Sequence, residues 1–289
     1  MIIKPCNTIV AIFAGALIVA LVDTHAIAAS QKPSPSPTTL KAAVDNNDRT
    51  PQNKLRDKYR HPLQTLTFFG LKPNMTVVEV WPGQGWYTEI LAPYLKVHGK
   101  LYDAFRTGQG AQQFKQMLAV RPAMYASVTI TEHGPPETTR LAPAGVADMV
   151  LTFRNVHNWM AEDFAPKMFT AMYIALKPGG ILGVVEHRGD PNKPQDPKAA
   201  SGYVREDTVI KMAEAAGFKL VARSEINANP KDTKDYPAGV WTLPPTLKLK
   251  DKDRDKYLAI GESDRMTLKF MKPLNAGKGS AAKATPEAE

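Results

Sequence analysis

Cysteine is almost absent from this chain of 289 residues, since Cys6 is the only one. Cys6 lies in a leading segment that is predicted below to be removed, so the remaining chain would carry no thiol. This absence excludes a disulfide framework, a thiol nucleophile and a thiolate metal site. The histidines also lack the i, i+4 spacing with a nearby acid that helical zinc sites use, and the sequence predicts no metal site.

No clear membrane-spanning run is present either. The apolar run from Ile9 to Val22 has fourteen residues, whereas a membrane-spanning helix needs about 20. Lys4 precedes it, and the small residues Ala26 and Ala28 follow it, which is the form of a secretory signal. Residues 1–28 are therefore predicted to be a signal peptide, and the protein to be exported, periplasmic or secreted. An uncleaved N-terminal anchor is the alternative.

The charge of the chain does not define a partner. The net charge is +9, but lysine and aspartate are intermixed, as in residues 248–256. A basic composition alone is weak support for nucleic-acid binding, so no nucleic-acid partner is expected. A peripheral contact with a membrane stays open, and the oligomeric state is not predicted.

The main domain is predicted between two unstructured segments. Pro33, Pro35 and Pro37 favour a flexible linker over 29–53, and residues 275–289 have no apolar period and predict a disordered tail. In the domain at 54–274, short apolar runs alternate with helical patterns. This order predicts an α/β fold with a doubly wound, mostly parallel sheet. Strands are predicted at 76–80, 100–105, 128–131, 147–153, 181–186, 219–225 and 267–272, the last after an insert at 227–263.

A glycine turn follows the first strand. Gly83 and Gly85 would let the backbone approach a ligand closely, and the helix after them would offer free N–H groups. Glu79 lies just before this turn. A carboxylate there complements the positive ammonium and sulfonium groups of S-adenosylmethionine, whereas a dinucleotide pyrophosphate would avoid it.

Further polar residues follow the fourth and fifth strands. Arg154, Asn155 and His157 leave the fourth strand at its carboxyl end, where open α/β sheets bind ligands. Glu186 ends the fifth strand and would reach the same rim. His157 could act as a general base because its ordinary pKa is close to neutrality.

These segments resemble the class I S-adenosylmethionine-dependent methyltransferases over about residues 56–272. The resemblance rests on residues 79–85, on the helix end Leu176-Lys177-Pro178-Gly179-Gly180, and on the Arg154-Asn155-Val156 stretch. It is greatest to a family of exported predicted methyltransferases of unknown substrate, through the strings Arg60-His61-Pro62, Trp81-Pro82-Gly83 and 261–267. In the last string, Asp264 and Arg265 would pair with each other or hold the final strand. The resemblance implies a seven-stranded, Rossmann-like sheet with an antiparallel last strand.

The resemblance also implies roles for single residues. S-adenosyl-L-methionine would be the cofactor, with Glu79, Gly83, Gly85, Tyr87 and Asn155 around it. Asp103 would hold the ribose, although it falls two residues before the usual place, and Glu132 would lie near the adenine. Trp81 stands where the family usually has its first glycine, so it would pack on the ligand or line the acceptor pocket. Arg154, His157 and Glu186 are the catalytic candidates.

Three functions follow as hypotheses. The first is methyl transfer to an unknown, small or lipid-like acceptor. The second is a non-catalytic ligand-binding protein that retains the fold, favoured by Trp81 and by an export signal that separates the chain from cytoplasmic S-adenosylmethionine. The third is a nicotinamide oxidoreductase, which Gly83, Gly85 and Asp103 would allow.

Overall fold

The computed structural model describes residues 36–134 and 140–274. The predicted signal peptide, the first residues of the predicted linker and the predicted tail at 275–289 lie outside the described residues. Within the described ranges, no helix combines the length and the apolar character that crossing a bilayer requires.

Seven strands within the described ranges form a single sheet. They are β1 (Thr76–Val80), β2 (Lys100–Arg106), β3 (Val128–His133), β4 (Ala147–Phe153), β5 (Leu176–His187), β6 (Lys219–Ser224) and β7 (Arg265–Met271). Their order in the sheet is β3-β2-β1-β4-β5-β7-β6. Neighbouring strands are parallel except where β7 pairs with β5 and β6. The predicted α/β class, the seven strands and the antiparallel last strand are confirmed.

Helices cover both faces of this sheet. They are α1 (Leu40–Asp45), α2 (Pro51–Lys54), α3 (Asp57–Arg60), α4 (Pro62–Phe69), α5 (Thr88–Leu95), α6 (Gln109–Val120), α7 (Pro122–Tyr125), α8 (Val156–Ala161), α9 (Ala165–Ala175), α10 (Glu206–Ala215) and α11 (Arg254–Ile260). Because side chains alternate along a strand, Val78 packs with Trp159 on one face. Val77 packs with Leu66 and Ile90 on the other, so both faces carry a core.

The start of the domain differs from the linker prediction. Residues 40–54 form α1 and α2 rather than an unpacked chain. Ala43 is buried in the core, and the buried guanidinium of Arg49 binds the Asp57 carboxylate at 2.7 and 2.9 Å. The prolines lie before residue 40, and packing of α1 against α4 and α5 orders the residues that follow.

The predicted helix stop before β5 also differs. Helix α9 ends at Ala175, and β5 begins at Leu176, so residues 177–180 belong to the strand. The register against β4 shifts between Ala147 and Met149, where β5 contains extra residues. The two glycines at 179–180 therefore lie in the irregular first part of β5 and do not form a separate turn.

Candidate active site

The centre of the sheet creates a crevice at the carboxyl ends of β1 and β4. The chain leaves β1 toward β2 on one side, while β4 lies on the other side, and ligands bind at such a switch point in open α/β sheets. Trp81 and Arg154 directly follow these two strands, with φ angles of 50° and 60°. Left-handed backbone in non-glycine residues is strained and concentrates at functional sites. At Trp81 and Arg154, this conformation turns the backbone away from the strand end at the crevice.

The crevice contains a first chamber of about 240 Å³. Six predicted site residues line it, namely Glu79, Trp81, Gly83, Tyr87, Arg154 and Asn155. The Asn155 amide donates to the Val80 carbonyl at 2.8 Å and to Thr152 Oγ1 at 3.1 Å. Asn155 therefore ties the exit of β4 to the end of β1.

The glycine turn needs its glycines for two different reasons. Gly83 and Gly85 have φ angles of 63° and 75°, a region that side chains disfavour. A Cβ at Gly83 would meet nothing within 4 Å, whereas at Gly85 it would lie 2.9 Å from Met117 Cε. Gly85 thus packs against α6, and Gly83 faces open space. The helix after the turn begins at Thr88.

Glu79 is a buried acid at the floor of the first chamber. Its side chain is 2% exposed, and its Oε2 accepts a hydrogen bond from Thr88 Oγ1 at 2.8 Å. Burial raises the pKa of Glu79 to about 8, against opposing effects from the Thr88 hydrogen bond and from Arg154. This carboxyl would ionise near neutral pH if a cation entered the chamber.

Asp103 does not reach the crevice. It is the middle residue of β2, it is fully buried, and it lies opposite Glu79 in the sheet register. Within the described residues, neither of its carboxyl oxygens has a hydrogen-bond partner, and burial followed by repulsion from Glu79 raises its pKa. Because β2 continues to Arg106, the predicted ribose contact is not placed at a strand end. The nicotinamide hypothesis loses the acid on which it depended.

Glu132 also lies apart from the first chamber. Its side chain forms an ion pair with Lys115 on the outer surface. The next residue, His133, faces inward instead, because neighbouring residues of a strand point to opposite sides. Part of the adjoining loop, residues 135–139, lies outside the described residues.

Trp81 reaches across the sheet toward His133. Its indole nitrogen donates to His133 Nε2 at 2.9 Å, and its ring also contacts the rings of Trp159 and Phe164. Burial, and then Arg106, lower the pKa of His133 to about 4, so the imidazole is neutral and can accept this hydrogen bond. Sequence reasoning missed His133, although it directly follows Glu132.

A second chamber of about 280 Å³ adjoins the first, and Arg56, Arg60 and Arg154 line both. Its other walls include His157 and His187. The insert before β7 supplies Trp241 and the segment 244–246. The predicted catalytic residues His157 and Arg154 therefore lie at this second chamber.

Glu186 positions His157 and does not line either chamber. Its Oε1 lies 3.0 Å from His157 Nδ1. The same carboxylate accepts hydrogen bonds from the backbone N–H groups of Val156, His157 and His187 at 2.6, 3.4 and 2.7 Å. Since a carboxylate accepts, Nδ1 carries the proton and Nε2 is left available.

His157, Glu186 and His187 come close enough to hold a metal ion, with one ligand atom from each within 4.8 Å of the others. The spacing rule used on the sequence could not find this group, because it joins α8 to the end of β5. The carboxylate is already occupied by N–H groups, and His187 Nδ1 lies 2.5 Å from Ser263 Oγ. The field of nearby arginines further disfavours a cation.

The string at 261–267 forms a wall of the second chamber, but not through the predicted pair. Asp264 binds Arg188 at 2.9 Å and Lys234 at 3.0 Å. Arg265 instead binds the buried Glu262. The string Arg60-His61-Pro62 reaches the same place, since Arg60 lines the chamber. Both strings were visible in the sequence, but only the fold brings them together.

The sheet order and the glycine turn after β1 define the Rossmann-like fold of S-adenosylmethionine-dependent methyltransferases. No protein-family model and no curated protein matches the sequence. Solved structures do match. An S-adenosylmethionine-dependent methyltransferase from Aquifex aeolicus is 17% identical, with a TM-score of 0.53 over 82% of this chain and 100% of that chain.

Two further solved structures also match. A protein from Galdieria sulphuraria, assigned as a sarcosine dimethylglycine methyltransferase, is 11% identical, with a TM-score of 0.52 over 83% of this chain and 93% of that chain. Human N-acetylserotonin methyltransferase, solved with S-adenosylmethionine, is 13% identical, with a TM-score of 0.49 over 81% of this chain and 57% of that chain. At these identities, the similarity to the Aquifex aeolicus and Galdieria sulphuraria proteins shows a shared fold.

Proposed function

We propose that the protein is an S-adenosylmethionine-dependent methyltransferase that acts on a small acceptor. One observation supports this above the others: two adjoining chambers meet at the switch point of the sheet. The first contains the acid and the glycine turn, and the second contains His157. A donor and an acceptor need adjoining sites of this kind because methyl transfer depends mainly on alignment.

The first chamber fits the charged end of the methyl donor. Glu79 offers a carboxylate to the ammonium and sulfonium groups, and Gly83 leaves open space beside it. The donor supplies an electrophilic methyl group on its sulfonium. Glu79 and Asn155 would hold that end of the donor, and Arg154 would face the acceptor side.

His157 would serve an acceptor that must lose a proton. Glu186 fixes the ring through Nδ1, so Nε2 is the nitrogen that can take a proton from an acceptor hydroxyl or amine. The nearby Trp241 ring, with its centroid 6.0 Å from that of His157, covers this side of the chamber. We further propose export of the chain, on the signal-like residues 1–28.

A second candidate, a non-catalytic binding protein with this fold, is favoured by Trp81. The indole and His133 together bridge the ends of β1 and β3, on the side where the resemblance expects the adenosine. If this bridge does not open, the first chamber would be too short for the whole donor.

Calorimetric titration of the purified protein with S-adenosylmethionine tests the proposal. Binding below about 1 mM supports it, and turnover on an acceptor panel would establish the activity. The variant Trp81→Gly separates the candidates, because glycine accepts the positive φ and removes the bridge. No binding to the wild type but binding to Trp81→Gly favours the second candidate. No binding to either protein refutes the donor site.

A further inference from the structure

The second chamber is lined by an unusual excess of positive charge. Four arginines face it, namely Arg56, Arg60, Arg154 and Arg265. A single carboxylate, Glu262, lies behind three of them. It accepts from Arg56 Nε at 2.5 Å, lies 3.6 Å from Arg60 Nε and binds Arg265. The fourth arginine, Arg154, has no hydrogen bond or ion pair to its guanidinium within the described part of the chain.

Several of these guanidinium groups have donors without partners. Arg60 is 3% exposed, yet its Nε and Nη1 have no hydrogen bond to any residue that the structure describes, and the same holds for Nε of the buried Arg265. A buried donor without a partner costs free energy. An anion with two oxygens would satisfy such donors in the bidentate geometry that guanidinium groups favour.

The pKa values of the arginines agree with a site that lacks an anionic partner. Burial, and then repulsion from Arg265, lower the pKa of Arg154 to about 10, so it remains charged at neutral pH. Burial, and then Arg154, also lower the pKa of Arg60. An anion between Arg154 and Arg60 would stabilise the charged form of both guanidinium groups.

The methyl donor alone would not balance this charge. Its single carboxylate could meet one arginine, but its ammonium and sulfonium groups add positive charge. Arg265 and the wall built by the insert line only the second chamber. An anion other than the donor carboxylate would therefore complement the charge of the second chamber.

We propose that the second chamber binds a small molecule through a carboxylate or phosphate group, and that this molecule is the methyl acceptor. Its hydroxyl or amine would form the new bond to the methyl group and give its proton to His157 Nε2, while the S–CH3 bond of the donor breaks and leaves a neutral thioether. The role as acceptor rests on the proposed function, whereas the anion site does not. Trp241 and His187 form its less charged walls. The chamber volume of about 280 Å³ lies just below the usual range for ligand pockets, about 300–1,000 Å³, and suits a molecule about the size of a substituted benzoate.

Calorimetry with benzoate, phenyl phosphate and the neutral benzamide tests the anion site. We expect one or both anions to bind and benzamide not to bind. Arg154→Gln should weaken anion binding about tenfold or more, since hydrogen bonds to charged groups contribute about 1.5–3 kcal/mol. Arg154→Lys should restore part of it. Arg223→Gln, at an exposed arginine paired with Glu206, is the matched control and should bind as the wild type does.

The other outcomes have clear meanings. Absence of binding by both anions at about 10 mM, or equal losses in Arg154→Gln and Arg223→Gln, overturns the anion site. Binding only to vesicles that contain phosphatidic acid overturns a small soluble ligand. Anion binding that excludes S-adenosylmethionine by competition overturns the acceptor role. Anion binding without any binding of S-adenosylmethionine refutes the proposed function but leaves the anion site standing.

Discussion

The indole nitrogen of Trp81 donates a hydrogen bond to Nε2 of His133 at 2.9 Å, joining the residue after β1 to the last residue of β3. The two rings are nearly parallel, with centroids 6.1 Å apart. This contact requires a neutral imidazole, because a protonated His133 would have no lone pair to accept with. The bridge therefore links the first chamber to the protonation of a buried histidine.

The bridge predicts a loss of stability in mild acid. The pKa of His133 is about 4 in the folded protein, against an ordinary value of 6.5, so the unfolded chain binds protons more readily between these values. The stabilisation is complete above about pH 6.5 and is lost as the pH falls toward 4, by about 3 kcal/mol. Urea unfolding should show a smaller loss in His133→Gln. The same substitution at the exposed His98 should leave the pH dependence of the unfolding free energy as it is in the wild type. If His133→Gln also showed the wild-type pH dependence, the prediction would be wrong.

Donor binding should depend on the ionisation of Glu79. Because the pKa of Glu79 is about 8 in the free protein, a cationic donor must displace a proton below that pH. Affinity for S-adenosylmethionine should therefore rise from pH 6 to about 8 and then level off. Calorimetry in buffers of different ionisation enthalpy should detect proton release.

Glu79→Gln should bind the donor more weakly and without this pH dependence. Glu162→Gln, at an exposed residue paired with Arg106, should behave as the wild type does. Proton release that persists in Glu79→Gln would assign the titration to another group.

The sequence was sufficient where the signal is local. Strands β1 and β4 have the predicted bounds, because β-branched and apolar runs there are bordered by turns. The predicted residues next to those strand ends, such as Glu79 and Arg154, do line the first chamber. Asp103 lies within β2, as the predicted strand already implied, but its complete burial depends on how neighbouring elements pack and gives no local signal in the sequence.

The second chamber could not be predicted in the same way. Arg60 comes before the first strand, and Arg265 begins the last one, so their proximity depends on the antiparallel insertion of β7. Arginine also gives no periodic signal that separates a surface position from a buried one. The sequence showed the strings at 60–62 and 261–267, but not that the fold brings their arginines into one chamber.

Glu262 should be essential to the stability of this arginine group. Burial alone would raise the pKa of Glu262, but Arg265, Arg56 and Arg60 outweigh that effect and hold the pKa well below its ordinary value. Glu262→Gln would leave buried arginines without a counter-charge and should cost about 3–5 kcal/mol of unfolding free energy.

The matched control for Glu262 is Glu225→Gln, which removes a carboxylate that is 68% exposed and paired with Arg188. Surface pairs of this kind contribute about 1 kcal/mol or less. Urea denaturation at pH 7 compares the two variants. Equal losses would mean that the arginine group is balanced by something other than Glu262.

Two glycines with nearly the same φ angle test whether the first chamber receives the donor at Gly83. Gly83 and Gly145 have φ angles of 63° and 64°, and a Cβ at either would meet nothing within 4 Å. Alanine at either position should therefore lower the free energy of unfolding by a similar amount, about 1–2 kcal/mol, because the left-handed backbone disfavours a side chain. Only Gly83 lines the first chamber, whereas Gly145 lies in the turn before β4. Gly83→Ala should weaken S-adenosylmethionine binding in calorimetry and Gly145→Ala should not, and equal affinities would place the donor away from this turn.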